Sequence, residues 1–405
     1  MGTSRLPRYH QIQRIIKGLE YPEKICIFIS IQMLTYLGQW NPKQRSRKYS
    51  LYFHLLNCVL VLHIFTLIWD ICDIYNDFIL FGDSLCVILG VCLVFFKKCY
   101  HNYYSAEFEG IIEDLQRSFQ ENNRRYNAVT DLQRKYFVEE VVMLLCFIFL
   151  GSSLIIAVCV HSLFDRTMPV RTKYPFDLDS NERFAALFLF QLFLTVYVVQ
   201  TIVFLDGLGG QVMSQIALQF NILLLDFQRV GNDLKTLGSE DGQGRRENNM
   251  QIKQDLRALI KKHQDLISFG NRVNALYEPL FSAQLISSMC MICMTALEAT
   301  LTMDDFFLFM KFAVYAVSVL LQILYWSYYG NGISYISSSI NEALIECNWI
   351  GGDSSFRMDL LMVMLRVQRP FRFRVHNYFS ISYETFIGVV SKSYSFFTLL
   401  RTISN

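Results

Sequence analysis

Residues 391–405 read SKSYSFFTLLRTISN. Their apolar content suits the end of a membrane helix, yet small and hydroxyl-bearing residues recur through them. With the turn before them, Gly388, Ser391, Ser395, Thr398 and Thr402 follow at spacings of 3, 4, 3 and 4, which puts them on one face of a helix. Phe386, Val389, Phe396, Phe397 and Leu400 take much of the remaining surface. Such a face has two readings. Small residues let helix backbones pack closely, or hydroxyls line water in a pore. The residues leave both open, but either makes this a membrane helix and raises the question of how many others the chain contains.

The 405-residue chain is 53% hydrophobic and 15% aromatic, with 18% charged residues and a formal net charge of +2. Charge is scarce and gathered into a few stretches. This is the composition of an all-α polytopic membrane protein rather than a soluble enzyme, and near-neutrality gives no footprint for nucleic acid. The start, MGTSRLPRYHQIQRIIKG, lacks the apolar core and small-residue cleavage site of a signal peptide. Gly2 fits the opening of a myristoylation motif, but Leu6 stands where Ser or Thr is usual. Most of the 11 cysteines lie in apolar runs and read as packing residues. Cys290 and Cys293 sit in SSMCMICMTAL with no second pair or histidine nearby, so helix packing is favoured over a metal site. No Gly-rich phosphate loop, nucleophile elbow or catalytic pair is present, so neither cofactor nor enzymatic activity is expected.

A membrane helix needs about 20 mostly apolar residues. Seven stretches qualify: 51–70, 78–96, 137–164, a run from Phe184 towards Phe227, 276–303 with a helical approach from about Met250, 306–329 and 377–400. The run ICIFISIQMLTYLG, 25–38, is too short and reads as interfacial or re-entrant. Lys and Arg set the direction. Nine fall within residues 1–50, seven from Lys97 to Lys135 and eight from Arg229 to Lys262. Arg357, Arg366, Arg369, Arg372 and Arg374 follow span six. The alternate loops hold none after span one and only Lys311 at the edge of the loop after span five. After span three, Arg166, Arg171, Lys173 and Arg183 are offset by Asp165, Asp177, Asp179 and Glu182. The N-terminus is therefore expected in the cytoplasm and the C-terminus outside, the inverse of a G-protein-coupled receptor. Pro370 should end a helix running from Ser355. The expected division is a cytoplasmic region 1–50, six spans within 51–345, a cytoplasmic segment 346–376 and a seventh span within 377–405.

Several short motifs then occur in order: Tyr329-Gly330-Asn331 ending span six, Trp349, MLRVQRPFRF, FSISYETF and SKSYSFFTLLR. Upstream, KYPFDLDSNERF (173–184) leads into span four, with Gln191 inside it. This layout resembles the insect odorant receptor family across the whole chain, and in motif over about the last ninety residues. The long insertion between spans four and five that marks the family's shared co-receptor is absent; the loop is only GNDLKTLGSEDGQGRREN. The resemblance is to an odorant-specific tuning subunit.

The resemblance implies a ligand-gated, non-selective cation channel in the plasma membrane of olfactory sensory neurons. Four subunits, tuning receptors mixed with the co-receptor, surround one pore lined by the seventh helix. Ser391, Ser395, Thr398, Leu399 and Thr402 would then be pore-lining. Thr398 falls at the family's narrow gate, where the co-receptor has Val, and Leu399 is its nearest greasy neighbour. In the cytoplasmic half, Leu360, Leu361, Met364 and Leu365 share a stripe that either folds onto its own bundle or, as the resemblance implies, anchors neighbouring subunits; Trp349, Leu361, Met364 and Leu365 are the anchor candidates.

A small volatile ligand needs a closed apolar pocket with one or two hydrogen bonds, which the resemblance places in the outer half of the bundle. Span two offers Phe81, Ser84, Leu85 and Ile88; span three Gly151, Ile155 and Val158; span four Phe184, Phe188, Gln191 and Leu192; span six Phe309, Phe312 and Tyr315. For each, ordinary packing is the plain alternative. Asp83, just inside span two, is either functional or at headgroup level. His54 and His63 read as interhelical partners. Two rivals remain: a gustatory-type homotetramer, which the tail argues against, and a transporter, which would need an internal repeat and helices broken at mid-membrane.

Overall fold

The computed structural model describes residues 25–40, 47–74, 78–122, 127–164, 167–174, 180–237, 243–346, 354–376 and 378–404. The helices are α1 (Ile27–Tyr36), α2 (Arg47–Asp73), α3 (Phe78–Tyr103), α4 (Ser105–Asn122), α5 (Asn127–Phe164), α6 (Asn181–Leu237), α7 (Gln243–Leu301), α8 (Phe306–Ile345), α9 (Ser354–Val367) and α10 (Tyr383–Ser404). A small antiparallel ladder, β1 (Arg374–Val375) with β2 (Phe379–Ser380), is the only departure from an all-α chain among the described residues.

By length and composition, α2, α3, α5, α6, α7 and α8 can each cross a membrane. The seventh expected span, α10, has 22 residues but is not in that group. Lys392, Arg401 and the hydroxyl stripe dilute its apolar residues.

Two helices are much longer than a bilayer requires. α6 has 57 residues and α7 has 59. At 1.5 Å per residue each spans roughly 85–90 Å, about three times the apolar thickness of a membrane. Residues 229–237 and 243–262 of the charged stretch therefore extend these two helices. α8 likewise runs past Gly330, where the sequence reading ended span six, because Ile333, Ser337, Ile340 and Leu344 continue its buried face. α4 was read only as part of a loop. Its signal is present at helical spacing: Phe108, Ile111, Ile112, Leu115 and Phe119 are buried.

α6 is the axis of the bundle. Every residue from Val203 to Phe220 is buried, as expected of a helix enclosed on all sides. Its crossing with α8 is close. A Cβ at Gly209 would lie 2.1 Å from the Trp326 ring and one at Gly210 2.2 Å from the Tyr325 hydroxyl. α1 packs Ile27 and Leu34 inward while Ser30 Oγ donates to Gln211 Oε1 of α6 at 2.8 Å. Its outer residues Ile29, Met33 and Tyr36 stay exposed.

α9 ends at Val367, and Pro370 stands in the non-helical segment that follows. The seventh helix starts at Tyr383, later than the expected residue 377. The connector is pinned instead by its backbone N–H groups. Phe371 N donates to Ser337 Oγ at 2.9 Å, Arg374 N to Asn274 Oδ1 at 2.7 Å and His376 N to Glu278 Oε1 at 2.9 Å. Side chains of α7 and α8 thus set where the last helix begins.

Candidate ligand cavity and pore helix

A cavity of about 180 Å³ lies inside the bundle. Its wall takes Cys86, Val87, Gly90, Val91, Leu93 and Val94 from α3, and Phe147, Leu150, Gly151, Leu154 and Val158 from α5. α6 supplies residues from Leu194 to Asp206, and α8 supplies Tyr315, Ser318, Val319 and Gln322. His63, Val170 and Met291 complete it. The lining is almost wholly apolar, which suits a small hydrophobic guest.

The four helices named from sequence are the ones that meet here, but the cavity is deeper than the positions chosen. Gly151, Val158 and Tyr315 line it. Phe81, Ser84, Leu85, Ile88, Ile155, Phe184, Phe188, Gln191, Leu192, Phe309 and Phe312 are not part of its wall. The physical reason is a roof. Val170 N donates to Gln191 Oε1 at 3.1 Å, and Gln191 Nε2 donates to Thr172 Oγ1 at 2.7 Å and Tyr174 Oη at 3.0 Å. Ser84 Oγ donates to Asp70 Oδ2 at 3.3 Å, and Arg171 pairs with the same carboxylate at 3.3 Å. Gln191 and Ser84 thus fasten segment 167–174 over the outer end. Asp83 pairs with Lys311 at 2.7 Å on the α3–α8 side. Ile88 instead packs in the cluster of Leu60, Leu67, Val91 and Val170, and Phe312 is buried beside Tyr315. Gly151 serves close approach as well as the cavity: a Cβ there would meet Val203 Cγ2 at 2.9 Å and Val199 Cγ1 at 3.1 Å.

The inner end is closed by a buried polar network that sequence reading missed. Lys97 Nζ bonds to Asp206 Oδ1 and donates to Gln284 Oε1. Gln322 Nε2 donates to Asp206 Oδ2. Lys97 and Lys98 at the inner end of span two, with Asp206 at that of span four, opposite in sign, were the available signal. Burial is tolerable because the charges are paired and hydrogen-bonded.

On α10, Val389 and Ser393 face the bundle, with Ser393 Oγ reaching Met289 O at 3.5 Å. Ser391, Ser395, Thr398, Leu399 and Thr402 are exposed. A Cβ at Gly388 would meet nothing within 4 Å. The stripe is therefore not a packing seam within the chain. Ser395 Oγ donates to Ser391 O at 3.1 Å, Thr398 Oγ1 to Ser395 O at 2.8 Å and Thr402 Oγ1 to Thr398 O at 2.9 Å, so each hydroxyl satisfies itself on its own helix. Phe396, on the remaining surface of the helix, is 55% exposed.

The family model described as 7tm Odorant receptor matches residues 77–394. The chain belongs to the odorant receptor family. It is 24% identical over 349 residues to Odorant receptor 13a of Drosophila melanogaster, covering 81% of each chain. It is 22% identical to Odorant receptor Or1 of Anopheles gambiae, covering 95% of this chain and 97% of that one. Among solved structures it resembles the insect olfactory receptor OR5 from Machilis hrabei in complex with eugenol, with a TM-score of 0.74 over 98% of this chain and 99% of that one at 12% identity. The seven-helix membrane fold expected from sequence is thus the fold of this odorant receptor, which belongs to no enzyme family.

In the odorant receptor, α9 has two apolar faces. Phe356, Leu360, Val363 and Val367 are buried on the bundle, and Met364 packs beside them. Leu361 and Leu365 are 52% and 58% exposed, together with Met358 and Met362. The stripe read from sequence is therefore split between the faces. Trp349 lies outside the described residues.

Proposed function

We propose that the chain is an odorant-specific tuning subunit of a ligand-gated, non-selective cation channel, assembled with the family's co-receptor as a heterotetramer in the plasma membrane of olfactory sensory neurons. The exposed hydroxyl face of α10 carries this reading. Facing lipid, the remaining lone pairs of these hydroxyls would find no donor; facing its counterparts around an axis, the strip encloses water and offers oxygen atoms to a cation. Ser391, Ser395, Thr398 and Thr402 make that wall, and Thr398 with Leu399 forms its narrow point. The apolar cavity takes a small volatile ligand. The free face of α9, with Leu361 and Leu365, is the contact to a neighbouring subunit. The charge asymmetry of the loops supports a cytoplasmic N-terminus and a C-terminus outside.

The test is electrical. The chain is expressed with and without the co-receptor, and current is recorded under volatile and non-volatile ligands. Volatile-evoked current should appear only on co-expression. Robust current from the chain alone would argue for a homomeric receptor, and responses confined to non-volatile ligands would remove the odorant reading.

A further inference from the structure

We propose that the cavity selects small apolar molecules that carry one hydroxyl group, an alcohol or a phenol, bound with that group towards the inner end. This deepens the functional reading and rests on the cavity being the ligand site. The argument begins on α8, where Tyr315, Ser318 and Gln322 line the cavity at spacings of 3 and 4, a polar strip down one otherwise apolar wall. Ser318 Oγ has no hydrogen-bond partner, although a helical serine ordinarily bonds the carbonyl a turn earlier. Gln322 donates from Nε2 to Asp206 and Gln284, which leaves its Oε1 as an acceptor. Asp206 lines the same end, held by Lys97. His63 of α2 also lines the cavity; it is buried and its Nδ1 is without a partner.

Residues four apart on a helix have Cβ atoms about 5–6 Å apart. One ligand oxygen about 2.8 Å from each group spans that gap. It can accept from Ser318 and donate to Gln322 Oε1 or the Asp206 carboxylate. A hydroxyl does both. A ketone only accepts, and a haloalkane does neither and leaves the buried Ser318 hydroxyl unpartnered, which carries a free-energy penalty. The apolar remainder of the ligand lies outward among Val87, Leu154 and Val199.

The experiment co-expresses the chain with the co-receptor and compares matched triplets of alcohol, ketone and chloroalkane, such as octanol, octanone and chlorooctane, over a range of chain lengths. Potency should fall in that order, by roughly tenfold per lost hydrogen bond. Ser318→Ala should lower alcohol potency roughly tenfold and Ser318→Thr should restore it, while Gln322→Met should narrow the gap between alcohol and ketone. Equal potency across a triplet, preference for the chloroalkane, silence to every alcohol, or an order that survives both Ser318→Ala and Gln322→Met would overturn the inference. A block by Leu154→Trp of whatever ligand does activate is read separately. If it blocks while the order is wrong, the cavity is the ligand site and the hydroxyl preference fails; if it does not, the site reading itself fails.

Discussion

The backbone of Ile381 rests directly on Gly330: a Cβ at position 330 would lie 2.3 Å from the Ile381 carbonyl oxygen. α8 carries Gly330 a few turns inward of the cavity strip, and Ile381 stands immediately before α10. One glycine therefore lets the ligand-side helix touch the backbone that launches the last helix. Ile381 N is held in turn by Phe373 O at 2.9 Å.

Gly330→Ala should uncouple this joint. Neither backbone can yield as a flexible side chain would, and overpacking of this kind costs about 1–3 kcal/mol. The expected result is a receptor that reaches the surface yet passes roughly 5- to 150-fold less ligand-evoked current. Wild-type current at equal surface labelling would show that the contact plays no part in opening.

Filling the void calls for a residue other than Gly151. Gly151 abuts Val199 and Val203, so Gly151→Trp wedges α5 from α6 and should lower surface expression. Leu154→Trp adds bulk on the same wall and should abolish activation while keeping expression. Surface biotinylation beside current recording separates the two, and the account fails if their phenotypes are interchanged.

Cysteine accessibility tests the last helix. Cysteines at Ser391, Ser395, Thr398 and Thr402 should react with a water-soluble thiol reagent and reduce current in the open state, whereas cysteines at the buried Val389 and Ser393 should stay silent. Native Cys58, Cys72, Cys99, Cys146 and Cys290 are exposed and must first be shown to be inert. Cys26 is buried, which pushes its thiol pKa up and leaves little thiolate. Modification confined to Val389 and Ser393 would move the water path to another face.

The two faces of α9 should separate assembly from folding. Leu361→Asp with Leu365→Asp places charge on the exposed apolar face and should reduce tetramers on native gels while protomers stay folded. Leu360→Ala opens a hole in the buried face and should destabilise the protomer by about 2–5 kcal/mol. Intact tetramers in the Asp double variant would exclude that face as the subunit contact.

The spans, their order and the break near Pro370 were legible because each is written in long apolar runs or in one rigid ring. The four helices of the cavity were legible too, but not its depth. Gln191 and Ser84 fall on the right helices, yet their polar groups fasten the roof, and no local pattern distinguishes a roof residue from a wall residue a turn or two below. The helical approach from about Met250 was legible, but the full extent of α6 and α7 was not, because amphipathic cytoplasmic helices lose the hydropathy signal that marks a span. On α9 the spacing of Leu360, Leu361, Met364 and Leu365 suggested one stripe, whereas the fold turns Leu360 inward and Leu361 outward.

The Lys97–Asp206 pair has a consequence for how the protein is made. The two residues are 109 positions apart in the chain. At synthesis rates of about 5–20 residues per second, the ammonium group waits on the order of ten seconds before its carboxylate emerges from the ribosome. During that interval α3 carries a cation with no counterion, which its flexible stem can lift to the headgroups. Gln284 and Gln322 arrive later still. This network therefore cannot form one helix at a time. The network is complete only once α8 has been made, so a nascent chain truncated before Gln322 should be the species that quality control recognises.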